Sequence, residues 1–147
     1  MIIKNNIFFA EVEQLLSEGQ DVTILVRGNS MRPLLRDGRD RVILRSHRDE
    51  DIRKGAVMLF RYRGSYIMHR IVKIEGDVVI FEGDGNYKLQ EVVTRKDIVA
   101  VVVAVVLPSG KSISCSSRRW RLASWWWLSK TRFERRVILA VMRRLKL

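Results

Sequence analysis

The sequence has one cysteine, Cys115, which excludes a disulfide within the chain and gives no sign of an oxidising compartment. Two histidines, His47 and His69, are too few to build a Cys/His zinc pattern with it. No metal or other cofactor is expected. Long hydrophobic runs are missing as well. Met1 to Gln20 holds no apolar stretch able to cross a bilayer or form a signal-peptide core, so the expectation is a chain made and kept on the cytoplasmic side. Acids are scarce at one end: residues 118–147 contain ten Lys or Arg against a single acid, Glu134. That tail thus carries +9 of the formal +12 charge, leaving +3 for the preceding 117 residues.

What is present suffices for one folded domain. The 147 residues are 47% hydrophobic, which suits a real core and excludes wholesale disorder. Ile7, Phe8, Val12, Leu15 and Leu16 fall near helical spacing and predict a short amphipathic helix that ends at Gly19. β-Branched residues then predict strands over Asp21–Val26 and Arg41–Arg45. Residues 46–55 are polar, so His47 is read as part of a solvated loop. Ala56–Arg61 and Ser65–Ile74 read as a hairpin around Gly64. Val78–Phe81 follows the Gly76-Asp77 turn, Gly83-Asp84-Gly85-Asn86 makes another, and Ile98–Leu107 is a Val-rich strand buried on both faces. Short strands between Gly/Asp turns predict a mostly β domain over residues 1–117. The polar stretch Ser109–Ser117 is expected to separate it from the tail, with Cys115 a partly buried small residue.

Three residues at turns or strand centres carry candidate chemistry: Ser30, His69 and Asp84. A serine hydroxyl is a poor nucleophile at neutral pH unless a base lies within hydrogen-bond reach. Neutral imidazole can take that proton and return it. A carboxylate on the second ring nitrogen fixes the tautomer and stabilises the imidazolium.

The residues around these three resemble the signal peptidase family. Gly28-x-Ser30-Met31-x-Pro33, followed by Leu34-Leu35-x-x-Gly38, looks like its nucleophile segment, Gly-x-Ser-Met-x-Pro-x-Leu-x-x-Gly-Asp. Lys54–Phe60 resembles its Gly-Asp-Ile-Val-x-Phe strand. His69-Arg70-Ile71-Val72 and Gly83-Asp84-Gly85-Asn86 are similar to the His-Arg-Val-Val and Gly-Asp-x-Asn segments of the endoplasmic-reticulum and archaeal type. The bacterial majority, and the related self-cleaving repressors, have a lysine base where this chain has His69. The resemblance covers about residues 21–107. It implies an antiparallel β fold and a serine endopeptidase that cleaves signal or leader peptides from precursor polypeptides. Ser30 would attack, His69 would shuttle the proton, Asp84 would orient His69, and the Ser30 backbone N–H would face the oxyanion. The pattern departs in two places: Gly38-Arg39-Asp40 stands where Gly-Asp is usual, and the nearest acids after Asn86 are Glu91 and Asp97. A catalytically silent, membrane-associated peptide-binding module of the same fold is the alternative.

The tail combines Trp120, Trp125, Trp126, Trp127 and Phe133 with its cations. From Thr131 the apolar residues Phe133, Val137, Ile138, Val141 and Leu145 recur near helical spacing, and the longest apolar run, Val137–Met142, is six residues. A basic amphipathic helix lying in a membrane interface is expected, with the Trp residues at headgroup depth and a peripheral location on the cytoplasmic face. Docking of the tail on the β domain is the second reading. Nucleic acid is the least favoured partner, because no nucleic-acid motif accompanies the charge.

Overall fold

Phe9, Val12 and Leu16 recur three and four residues apart, which puts them on one side of a helix. In the computed structural model, which describes residues 2–3 and 6–146, all three are buried on one face of α1 (Asn6–Ser17). Full burial of such a side chain contributes roughly 1.5–3 kcal/mol, so these three are the apolar anchors of the helix on the sheet.

Among the described residues that sheet is antiparallel throughout and has nine strands. They are β1 (Ile2–Ile3), β2 (Val22–Leu25), β3 (Arg41–Ser46), β4 (Val57–Tyr62), β5 (Ser65–Glu75), β6 (Val78–Gly83), β7 (Asn86–Thr94), β8 (Ile98–Val106) and β9 (Ser112–Ser114). The main path runs β2-β3-β8-β4-β5-β6-β7, with β1 added to β5 and β9 to β8. The Val-rich β8 lies inside the sheet and none of its residues is exposed, because β3 covers one edge and β4 and β9 share the other.

Two core clusters flank the sheet. The first joins α1 to Ile24, Val42, Leu44, Leu59, Met68 and Val102, and takes in Met31 and Leu35 from the Ser30 loop and Trp120 from the tail. The second is built on Phe60, Ile67, Ile71, Val79, Phe81 and Val93, with the Phe60 and Phe81 rings stacked at 3.9 Å.

The carboxyl-terminal expectations need correction. Ser109–Ser117 is not a separator, since Ser112–Ser114 pairs with β8 and the Cys115 N–H donates to Val103 O at 2.9 Å. The tail forms two helices, α2 (Arg118–Leu128) and α3 (Arg132–Arg144). Ser117 caps the first through the Trp120 N–H, and Thr131 and Glu134 form a capping box on the second. Helix α2 is amphipathic in an unexpected way: Trp120, Ser124 and Trp127 face inward and are buried, while Leu122, Trp125 and Trp126 face outward. Trp120 and Trp127 are therefore parts of the folded domain, and their burial removes them from any membrane contact. No helix among the described residues is long and apolar enough to cross a membrane.

Candidate active site

The centre of β5 is shielded on both faces, from Ile67 through Ile71. Successive side chains of a strand point to opposite faces, so His69 and Arg70 leave β5 in opposite directions and each needs its own polar partner.

His69 faces the nucleophile turn. Its Nε2 lies 3.0 Å from Ser30 Oγ, and its Nδ1 lies 2.7 Å from Glu91 Oε1. The second contact is close but poorly aligned, for Nδ1 and Glu91 Oε2 are both buried without a well-directed hydrogen bond. Burial of the ring disfavours its charged form, and this outweighs the opposing pull of Glu91, so the His69 pKa lies below its ordinary 6.5. The imidazole is therefore neutral near neutral pH. With a carboxylate beside Nδ1, its proton belongs there and the Nε2 lone pair is directed at the serine hydroxyl.

Ser30 is held from below and from behind. Met31 and Leu35 are buried in the core beneath it. The Gly28 N–H donates to Asp37 Oδ1 at 2.8 Å, and the Arg36 N–H donates to Asp40 Oδ2 at 2.9 Å. Asp40, the acid displaced by one residue from the Gly-Asp pattern, is fully buried and ties the loop shut, with its carbonyl accepting from the Val26 N–H at 2.9 Å. Gly83 makes the close approach possible. A Cβ at that position would lie 2.6 Å from Ser30 O and 2.9 Å from His69 Nε2.

Asp84 has a different place from the one expected. It binds Arg70 through two parallel hydrogen bonds, from Nε to Oδ1 at 2.9 Å and from Nη2 to Oδ2 at 2.7 Å. Both side chains are buried, and a buried guanidinium left without a carboxylate would be strongly destabilising. Asp84 is thus committed to Arg70, and the carboxylate beside His69 is Glu91. The sequence offers no strand pattern over residues 87–97, and Glu91 stands out there only as one of the nearest acids after Asn86. Only the fold reveals its place: in Asn86–Thr94 the buried residues Tyr87, Glu91 and Val93 share one parity, which places a carboxylate on the core side of a strand, while exposed Leu89 hides the alternation in the sequence.

The chain belongs to the Peptidase S24-like family, which matches residues 4–105. The family includes serine peptidases and self-cleaving repressors. No curated protein matches the chain. The S24-like match contains Ser30, His69, Asp84 and Glu91 and stops short of β9, α2 and α3. Outside it, burial pushes the Cys115 thiol up to about 11 against the pull of Arg70, which disfavours the nucleophilic thiolate near neutral pH.

Proposed function

We propose that this chain is a serine endopeptidase of the His-base branch of the signal peptidases, cleaving signal or leader peptides from precursor proteins. The observation that carries the reading is the chain of contacts from Ser30 Oγ to His69 Nε2 and from His69 Nδ1 to Glu91. His69 Nε2 accepts the Ser30 proton as Oγ attacks the scissile carbonyl, and Glu91 stabilises the imidazolium that results. The Ser30 backbone N–H is the proposed donor to the oxyanion. Collapse of the tetrahedral adduct expels the amine, which takes the proton from His69; water, activated by the same base, then releases the acyl group. Imperfect alignment at Glu91 is compatible with this role, since catalytic hydrogen bonds commonly tighten in the reacting complex.

Two features support an extended peptide as substrate. Strand β1 pairs with β5 at Ile67 and Tyr66, so extended chain already adds to the edge that leads to His69. The segments that resemble signal peptidases include both Ser30 and His69. The outer face of α2 and α3, with Trp125 and Trp126 exposed among the tail cations, is the proposed contact with an anionic membrane surface.

The test is a library of precursor-derived peptides incubated with the wild-type chain and with Ser30→Ala, with new termini read by mass spectrometry. Cleavage after small residues by the wild type alone is expected. Identical products from both chains would rule out Ser30 as nucleophile, and no products from either would favour a silent peptide-binding module.

A further inference from the structure

Helices α2 and α3 lie outside the S24-like match, yet two of their side chains return to the segment that carries Asp84 and a third to the Arg70 that Asp84 binds. Trp127, fully buried, donates its indole N–H to the Asp84 carbonyl at 2.9 Å. Ser124, on the same inner face of α2, accepts from Arg70 Nη1 at 3.2 Å, so it touches the guanidinium that Asp84 holds. Arg135 of α3 donates to Leu128 O at 3.1 Å and to Glu82 Oε1 at 3.4 Å, with its guanidinium 5.7 Å above the Trp127 ring.

The other side of the same segment faces the catalytic pair. The Gly85 N–H donates to Ser30 O at 2.7 Å. A Cβ on Gly85 would lie 2.6 Å from Asn29 O, as one on Gly83 would crowd Ser30 and His69. Residues 82–85 therefore form a layer one chain thick between the helices and the nucleophile turn. Two glycines give that layer more backbone freedom than any other residue type would, so its position depends on contacts from both sides.

We propose that the α2–α3 pair is a brace for the catalytic pair, with Trp127, Ser124 and Arg135 as positioning residues that hold Glu82–Gly85 against Ser30 and His69. Its effect on turnover rests on the peptidase reading; its effect on geometry does not. The brace explains why the indole of Trp127 and the hydroxyl of Ser124 are spent on Asp84 and Arg70 and not on the sheet beneath them. Loss of the Trp127 contact takes the indole donor from the Asp84 carbonyl next to the site, whereas without Ser124 the Arg70 Nη1 still donates to Gly55 O at 2.9 Å.

The experiment uses the full chain and the variants Trp127→Phe, Ser124→Ala and Arg135→Gln, with Ile113→Ala as a control that loosens the first core cluster from β9. Two quantities are read: the rate at which an alkyl fluorophosphonate labels Ser30, and the titration of the His69 imidazole by NMR. Trp127→Phe is expected to slow labelling by about ten- to a hundredfold, the range that small misplacements of reacting groups produce. Ser124→Ala, the variant least able to unfold the chain, should slow it less. In both, the His69 midpoint moves up toward its ordinary value as water reaches the ring, and in Ile113→Ala it stays. A His69 titration unchanged in Trp127→Phe and Ser124→Ala overturns the brace, whatever the label does. A shifted His69 in a protein whose wild type takes no label upholds the brace and removes the peptidase reading instead.

Discussion

At the scale of single residues, Asp84 and Glu91 have different roles, and Glu91 alone of the two lies against His69, at 2.7 Å. Substitution separates their roles. Glu91→Gln keeps the shape but removes the charge on Nδ1, so kcat should fall by roughly 10³–10⁴, the order seen when a triad carboxylate becomes an amide, with little change in unfolding temperature. Asp84→Asn leaves the Arg70 guanidinium buried without its carboxylate, and stability should drop by about 3–5 kcal/mol, read by denaturant unfolding. A reversed pattern would return the orienting role to Asp84. The pH dependence follows from the direction of the His69 shift. Its folded pKa lies below 6.5, so the acid limb of kcat/KM should be centred below 6.5 and the rate should be level above it. Glu91→Gln removes a group that raises this pKa, and should move the limb further down. Linkage has the matching sign: the unfolded chain takes up the proton first, so the contribution of His69 to stability is complete above its ordinary pKa and is lost as pH falls through the folded value. The pairing of Ser30 with His69 was legible through the resemblance of two continuous segments, Gly28–Pro33 and His69–Val72, to signal peptidases. Glu91 was not, since its partnership spans three strands and depends on Gly83 having no side chain.

At the scale of elements, hydrophobic patterning predicted α1 and most of the strands with boundaries close to those observed. It failed where burial is set by distant chain. Strand β7 carries exposed Lys88, Leu89 and Gln90 in its middle, so its alternation is faint, and β9 is three residues long and gains its identity only by pairing with β8. Helix α2 misled for a different reason: four Trp among many cations suggest an interfacial helix, and composition alone cannot say which rings face the sheet. Truncation distinguishes the two tail helices. Removal of everything after Ser117 takes away the buried Trp120 and Trp127, and loss of one large buried aromatic costs about 3–5 kcal/mol against a total of about 5–15 kcal/mol for a typical domain. That chain should unfold at much lower denaturant concentration, or fail to fold. Truncation after Ser129 keeps α2 and should remain folded. Equal midpoints for the full chain and the chain ending at Ser117 would show that α2 contributes nothing to the core.

At the scale of the whole molecule, charge and apolar exposure coincide. The inner face of α2 is sealed against the sheet, while Leu122, Trp125 and Trp126 are exposed on its outer face, and Phe133, Val137, Val141 and Leu145 are exposed along α3 and its cap. The same segment, residues 118–147, holds ten cations and one acid, of which Arg135 turns inward to Glu82 and Leu128 O. Lys130 Nζ lies 4.9 Å over the Trp126 ring and the Arg136 guanidinium 5.8 Å over Phe133, an arrangement that presents ring and charge to the same side. On the proposed membrane reading, an anionic lipid surface would take the rings at headgroup depth, and each cation near it would contribute on the order of 1 kcal/mol before screening. The full chain is expected to bind vesicles containing anionic lipid and to ignore purely zwitterionic ones. Binding should weaken with salt as the Debye length falls from about 10 Å at 0.1 M to about 3 Å at 1 M. The blue shift of tryptophan fluorescence on binding should come from Trp125 and Trp126, which are 67% and 43% exposed, because Trp120 and Trp127 are already out of water. Trp125→Ser with Phe133→Ser should abolish most of the binding without unfolding the domain, since neither ring is part of a core cluster. Retention on single-stranded RNA with no partition into vesicles would assign the surface to nucleic acid and end the membrane reading.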